Sequence, residues 1–120
     1  MSVSADQVET LGEVKTVVIE TRSGERTIGT IIWVVVDSGD VFVRSVRGES
    51  GKWYQRALAN PEVTLRVGDD RLHFRAVAAD DPDSVERVSQ ALRRKYPPGG
   101  SLDSMLRPET LGTTLLLDPV

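Results

Sequence analysis

The side chains best suited to chemistry crowd into residues 41–54, which read Val-Phe-Val-Arg-Ser-Val-Arg-Gly-Glu-Ser-Gly-Lys-Trp-Tyr. Arg44, Ser45, Arg47, Gly48, Gly51 and Lys52 fall within nine positions of one another. A phosphate asks for backbone that can come close, for N–H donors at a helix start, and for positive and hydroxyl side chains. All three requirements are met where a strand runs into a helix. The same composition also serves a solvated turn, and the residue types alone leave both readings open. A nucleotide-triphosphate loop is excluded: no glycine stands five positions before Gly51, and Trp53 occupies the place of the Ser or Thr that would hold Mg²⁺.

Other chemistries are narrowed by what is scarce. The 120 residues contain no cysteine, which removes disulfides, thiolate metal sites and thiol nucleophiles and suits a reducing compartment. His73 is the only histidine, so one chain cannot assemble an imidazole metal site. The formal charge of -3 is unevenly spread. Positions 22–75 hold nine basic and seven acidic residues, whereas the remainder holds six basic and eleven acidic. The middle of the chain can thus draw an anion from within an acidic molecule, and a general nucleic-acid coat is not expected. The start, MSVSADQVETLG, has neither a basic opening nor an apolar run, and the most apolar stretch, 31–36, is far short of the ~20 residues of a membrane helix. A cytoplasmic protein without a membrane partner is expected.

The elements that must position this segment are read from periodicity. At this length one α+β domain, 1–120, is expected. Ser4 caps a helix within 1–13 that Gly12 ends. Barrel strands follow over 14–79: 15–21, then 26–36 after a Ser23-Gly24-Glu25 turn, then 41–47 after Ser38-Gly39-Asp40. Ser50 caps a helix within 50–60 that stops at Asn60-Pro61. Val63, Leu65 and Val67, then Leu72, Phe74 and Ala76, alternate with polar residues as two half-buried hairpin strands. A helix spans 80–98, a helical turn covers 102–106, and 110–118 supplies the last strand. That makes about six antiparallel strands with two to four short helices. The run 31–36 is apolar at every position, so both of its faces need cover, from a second subunit or from a barrel interior and a packed helix.

Several of these stretches carry a likeness to known proteins. Ile32-Trp33-Val-Val-Val, the strand end Val43-Arg44-Ser45-Val46-Arg47-Gly48, Gly51-Lys52-Trp53-Tyr54 and Ala59-Asn60-Pro61-Glu62-Val63 resemble the FMN-binding split β-barrel superfamily. Within it the chain is similar to the deazaflavin-dependent nitroreductase branch and to a neighbouring family of unassigned function, over about 15–118. The resemblance implies a homodimer binding a small-molecule cofactor, FMN or a deazaflavin, and a flavin-type oxidoreductase of unassigned substrate. It implies that Arg44, Ser45, Arg47, Gly48 and Lys52 cradle the phosphate, that Trp53 packs beside it, and that backbone near Trp33 and Val34 meets the ring. Where the deazaflavin branch carries Gly-Arg-Lys-Ser-Gly and then Pro-Arg, this chain has Glu20-Thr21-Arg22-Ser23-Gly24-Glu25-Arg26, lacking the glycine and one base. The choice between the two cofactors stays open.

A second class of function fits the same residues: a non-catalytic split barrel that holds FMN or haem, or a dimeric scaffold. Trp33 and Trp53 read as packing residues, and His73 as an exposed histidine. Arg93-Arg94-Lys95 complements a helix end, and Asp80-Asp81-Pro82-Asp83 is a helix entry.

Overall fold

The structure, a computed structural model, describes residues 3–120; the first two positions of the expected 1–13 segment lie outside the described residues. Helix α1 (Ala5–Glu13) begins at Ser4. Ser4 Oγ accepts from the Gln7 amide at 3.2 Å while Gln7 Oε1 accepts from the Ser4 amide at 2.9 Å, a reciprocal cap. The helix runs through Gly12, the expected stop, to Glu13. Strands β1 (Thr16–Ser23) and β2 (Arg26–Trp33) form a hairpin, followed by β3 (Val35–Asp37) and β4 (Asp40–Val43). Ser38 and Gly39 join the latter pair with φ of 51° and 83°, the left-handed pair a tight hairpin requires. Then come α2 (Lys52–Ala59), β5 (Glu62–Val67), β6 (Asp70–Ala78), α3 (Pro82–Lys95), α4 (Gly100–Met105), α5 (Pro108–Leu111) and β7 (Leu115–Pro119).

The strands form one antiparallel sheet in the order β2-β1-β5-β6-β7-β4-β3. β2 and β3 lie at opposite ends of that order, yet Val34 alone joins them. Such a link is possible only if the sheet curls until its edges meet, which makes the fold a split β-barrel. The expected single strand 26–36 is therefore two strands, and the count is seven rather than about six.

The break at Val34 has a tertiary cause. Its N–H donates to Tyr96 Oη at 3.3 Å, its C=O accepts from Lys95 Nζ at 2.5 Å, and the Tyr96 hydroxyl in turn donates to Lys15 O at 2.6 Å. Two groups at the end of α3 thus replace strand partners. Two further expectations are corrected here. The strand from 41 ends at Val43, where the buried Arg44 follows it, and α5 is an additional helix, making five α-helices among the described residues.

The alternating strands point inward as their pattern demands: Val17 and Ile19, Val63 and Leu65, Leu72 and Phe74 fill the barrel. Leu11 of α1 and Trp53 of α2 pack against them. A second apolar layer lies outside the sheet, where Val35 and Phe42 pack under Val88, Ala91 and Leu92 of α3 and Leu102 and Met105 of α4. The apolar run 31–36 is explained by these two layers. Ile32 and Val34 face the barrel and Val35 faces α3, but Ile31 stays 72% exposed.

The basic end of α3 does more than complement its dipole. Arg94 Nη2 pairs with Asp37 Oδ1 at 3.1 Å, and Lys95 Nζ donates to Leu11 O at 3.0 Å as well as to Val34 O. Burial lowers the Lys95 ammonium to about 8 and raises the Tyr96 hydroxyl to about 12. An unfolded chain keeps its lysine near ~10.4, so between about pH 8 and ~10 it binds more protons than the folded chain, and stability rises with pH. Urea unfolding midpoints are expected to increase from pH 7.5 to 9.5, short of the tyrosine's opposite effect. Lys95→Met is expected to flatten that rise, and an unchanged slope would show that another group causes it.

Candidate functional site

Where β4 ends, the chain turns away from the sheet and re-enters it through α2, leaving a cleft of about 650 Å³. One wall is the end of the first hairpin, with Thr16, Thr30, Ile31 and Trp33. Facing it is the turn itself, with Val46, Arg47, Gly51, Lys52 and Trp53, while α4 contributes Ser101, Ser104 and Met105. None of the described residues lining the cleft is an aspartate or glutamate. Its charged side chains are Arg44, Arg47 and Lys52.

The turn is built by Ser45, Gly48 and Gly51. Ser45 Oγ donates to Gly48 O at 2.8 Å, and its amide donates to Thr113 Oγ1 at 3.0 Å. Gly48 has φ +63°, and a Cβ there would lie 2.7 Å from Glu109 O on α5. A Cβ on Gly51 would run into Ser45 Oγ. Gly51, not Ser50, is the N-cap of α2; Ser50 Oγ donates to Arg47 O at 2.8 Å instead. No side chain caps the first turn of α2, and a lysine stands at its positive end, where helices favour acids. Amide donors and positive charge therefore accumulate in one place.

Arg47 and Lys52 are exposed on the turn, and neither side chain has a hydrogen bond or ion pair among the described residues. They stand where an incoming anion can be gripped. Arg44 and Ser45 also line the cleft, but their side chains are engaged within the protein, and Gly48 brings none. The Ser45 hydroxyl hydrogen is engaged by Gly48 O, so Ser45 is a strut of the turn. Gly48 is buried against α5 and shapes the backbone. Arg44 is 2% exposed and donates to Thr114 Oγ1 at 2.9 Å and to Ser89 Oγ, Met105 O and Val85 O, each at 3.1 Å. Those bonds engage four of the five N–H donors of a guanidinium. Burial, with Arg93 nearby as a second cause, lowers its pKa to about 10.

The aromatic residues separate in the same way. Trp33 lines the cleft with one face covered by Tyr96, the rings 3.7 Å apart and 5° from parallel. Trp53 is a core residue, edge-on to Tyr54 at 6.3 Å. The Val34 backbone is hydrogen-bonded to Tyr96 and Lys95 and is not part of the cleft wall, which is formed at this place by Ile31, Ile32 and Trp33. The α4 contribution was not legible, because Ser101, Ser104 and Met105 carry no motif and reach the cleft only through the packing of α4.

A second hollow of about 370 Å³ lies over the outer face of β1, β5 and β6. On its wall Glu20 binds Arg71 at 2.6 Å and the neighbouring Arg66 at 3.2 Å, and His73 Nδ1 lies 3.0 Å from Thr64 Oγ1. Among the described residues no three His, Asp or Glu side chains converge as metal ligands, and no helix is long and apolar enough to cross a membrane.

Comparison with known proteins agrees with the barrel. Residues 7–117 match the sequence pattern of a family described as uncharacterized protein conserved in bacteria (DUF2255). Among curated proteins none is similar in sequence. An FAD-binding protein from Mycobacterium smegmatis superposes with a TM-score of 0.68 at 17% identity, covering 100% of this chain and 93% of that one. An F420-H2-dependent reductase gives 0.65 at 18% identity, covering 87% and 94%. A NimC/NimA family protein from Clostridium acetobutylicum gives 0.66 at 16% identity, covering 93% and 78%.

Proposed function

Since the chain belongs to the bacterial family DUF2255 and folds as a split β-barrel, we propose that it binds the phosphate end of a flavin-type cofactor, FMN or a deazaflavin, at the turn before α2. The observation that carries this reading is the acid-free cleft in which Arg47, Lys52 and the uncapped start of α2 converge. Its volume lies within the usual range of cofactor pockets, ~300–1,000 Å³. Apolar Ile31, Trp33 and Met105 suit a flat ring, and Thr16, Thr30, Ser101 and Ser104 supply hydroxyls at its rim. The similarity in fold to an FAD-binding protein and an F420-H2-dependent reductase favours this ligand class.

Such a cofactor supplies hydride or single-electron transfer when bound. The chain's own residues bind the phosphate, shield one side of the ring with Trp33 on its Tyr96 support, and keep carboxylates away from it. The activity proposed is an oxidoreductase of the cytosol, working as a homodimer in which exposed Ile31 is covered by the second copy. The alternative is a non-catalytic carrier or scaffold, which asks of the cleft only the phosphate grip of Arg47 and Lys52 and the cover given by Ile31, Trp33 and Met105.

The two readings part on a spectral titration. The purified protein is titrated with FMN, with a deazaflavin and with haem, and the complex is then mixed with reduced nicotinamide cofactor. Red-shifted, saturable flavin spectra that bleach on reduction are expected of the oxidoreductase. Binding with neither reduction by nicotinamide nor turnover from reduced deazaflavin assigns the carrier.

A further inference from the structure

We propose that Arg44 is the fixed positive charge that makes this cleft select anions, acting on the ligand without touching it. The inference rests on reading the cleft as a flavin-phosphate site and adds the residue that sets its charge selectivity.

Arg44 is the largest wholly buried side chain of the protein. All its partners are neutral: two hydroxyls, Thr114 and Ser89, and two backbone carbonyls, Met105 and Val85. Among the described residues it has no carboxylate within ion-pair distance, and the charge that bears on it most, Arg93, has the same sign. Its lowered pKa, about 10, still leaves it protonated at neutral pH.

A buried ion without a counter-ion is costly, and an apolar side chain of similar volume would fill this space at less cost. Hydrogen bonds from α3, α4 and the segment before β7 make the charge tolerable and hold it still, but they do not neutralise it. Arg44 borders the cleft, as does Met105, whose carbonyl it holds, and no carboxylate lies among the cleft residues to absorb its field. Through a low-dielectric wall that field reaches a ligand with little screening. The missing counter-ion is the anion that enters the cleft.

FMN and riboflavin, which share a ring and differ by the phosphate, are the probes. Their dissociation constants are measured with the wild-type protein and with Arg44→Lys, Arg44→Gln and Ser89→Asp. The last variant places a carboxylate beside the guanidinium and neutralises it in place, so it decides the matter if Arg44→Gln does not fold. Relative to wild type, Arg44→Gln and Ser89→Asp are expected to reduce the preference for FMN over riboflavin roughly threefold to tenfold, and Arg44→Lys to preserve it. A purely structural role would weaken both ligands equally and leave their ratio unchanged, which overturns the proposal while leaving the flavin site intact. If wild-type protein binds neither probe nor a deazaflavin, the flavin reading itself fails.

Discussion

Gly48→Ala is expected to lower the unfolding free energy by about 2–4 kcal/mol and to abolish tight FMN binding. Two costs act together. The residue holds φ +63°, which a side chain adopts at a penalty of ~1–2 kcal/mol, and its new methyl would sit 2.7 Å from the backbone carbonyl of Glu109. That carbonyl belongs to α5 and has no rotamer to change, so either the turn or the helix must shift. A shift of the turn carries Arg47 with it, because Gly48 N donates to Ser45 O and Gly48 O accepts from Ser45 Oγ on either side of that residue. Chemical denaturation and FMN titration of the same preparation check both parts. A variant as stable as wild type would show that α5 yields easily and that Gly48 is not a conformational requirement.

Arg47→Ala and Lys52→Ala are expected to behave in the opposite manner, weakening FMN by about 1–3 kcal/mol each while leaving stability within ~0.5 kcal/mol of wild type. Among the described residues neither side chain has a hydrogen bond or ion pair to lose. Lys52 sits at the positive end of α2, and its loss should even relieve a small repulsion with the helix dipole. Both charges face one ligand, so the double variant is expected to lose less than the sum of the two, about 2–4 kcal/mol. Affinities from fluorescence quenching and midpoints from thermal melts separate these outcomes. Equal affinity in the double variant and wild type would remove the phosphate site from the turn.

The contrast between these residues shows how far the sequence could be read. The hairpins at 23–25, 38–40 and 68–70 and the half-buried strands around Val63 and Phe74 follow from alternation and turn chemistry, both local properties. The ends of α3 are also local: Asp81 Oδ2 accepts from the Ser84 amide, and Pro82 opens the helix. The break at Val34 has no local signal, since Trp33 before it and Val35 after it both continue the strand pattern. It is imposed by Tyr96 and Lys95, more than 60 positions away.

The same holds in the cleft. Arg47 and Lys52 stand at its edge on a turn closed locally by Ser45 and Gly48 and braced by Thr113 and α5. Arg44 looks equally suited by type, but the acceptors that claim it, at positions 85–114, are fixed only by the packing of α3, α4 and β7, while the Ser45 hydroxyl is claimed by Gly48 O within the turn. Composition gives the charge of the segment. Tertiary packing decides which of its charges is free.

The most direct measurement follows the phosphate itself. One equivalent of FMN is added to the protein and its ³¹P resonance recorded with wild type and with the Arg47→Ala/Lys52→Ala variant. A shifted, broadened resonance with wild type, returning to the free position with the variant, is the expected result. A resonance that stays at its free position while absorbance reports bound flavin would place the phosphate in solvent and contradict the site proposed at the turn.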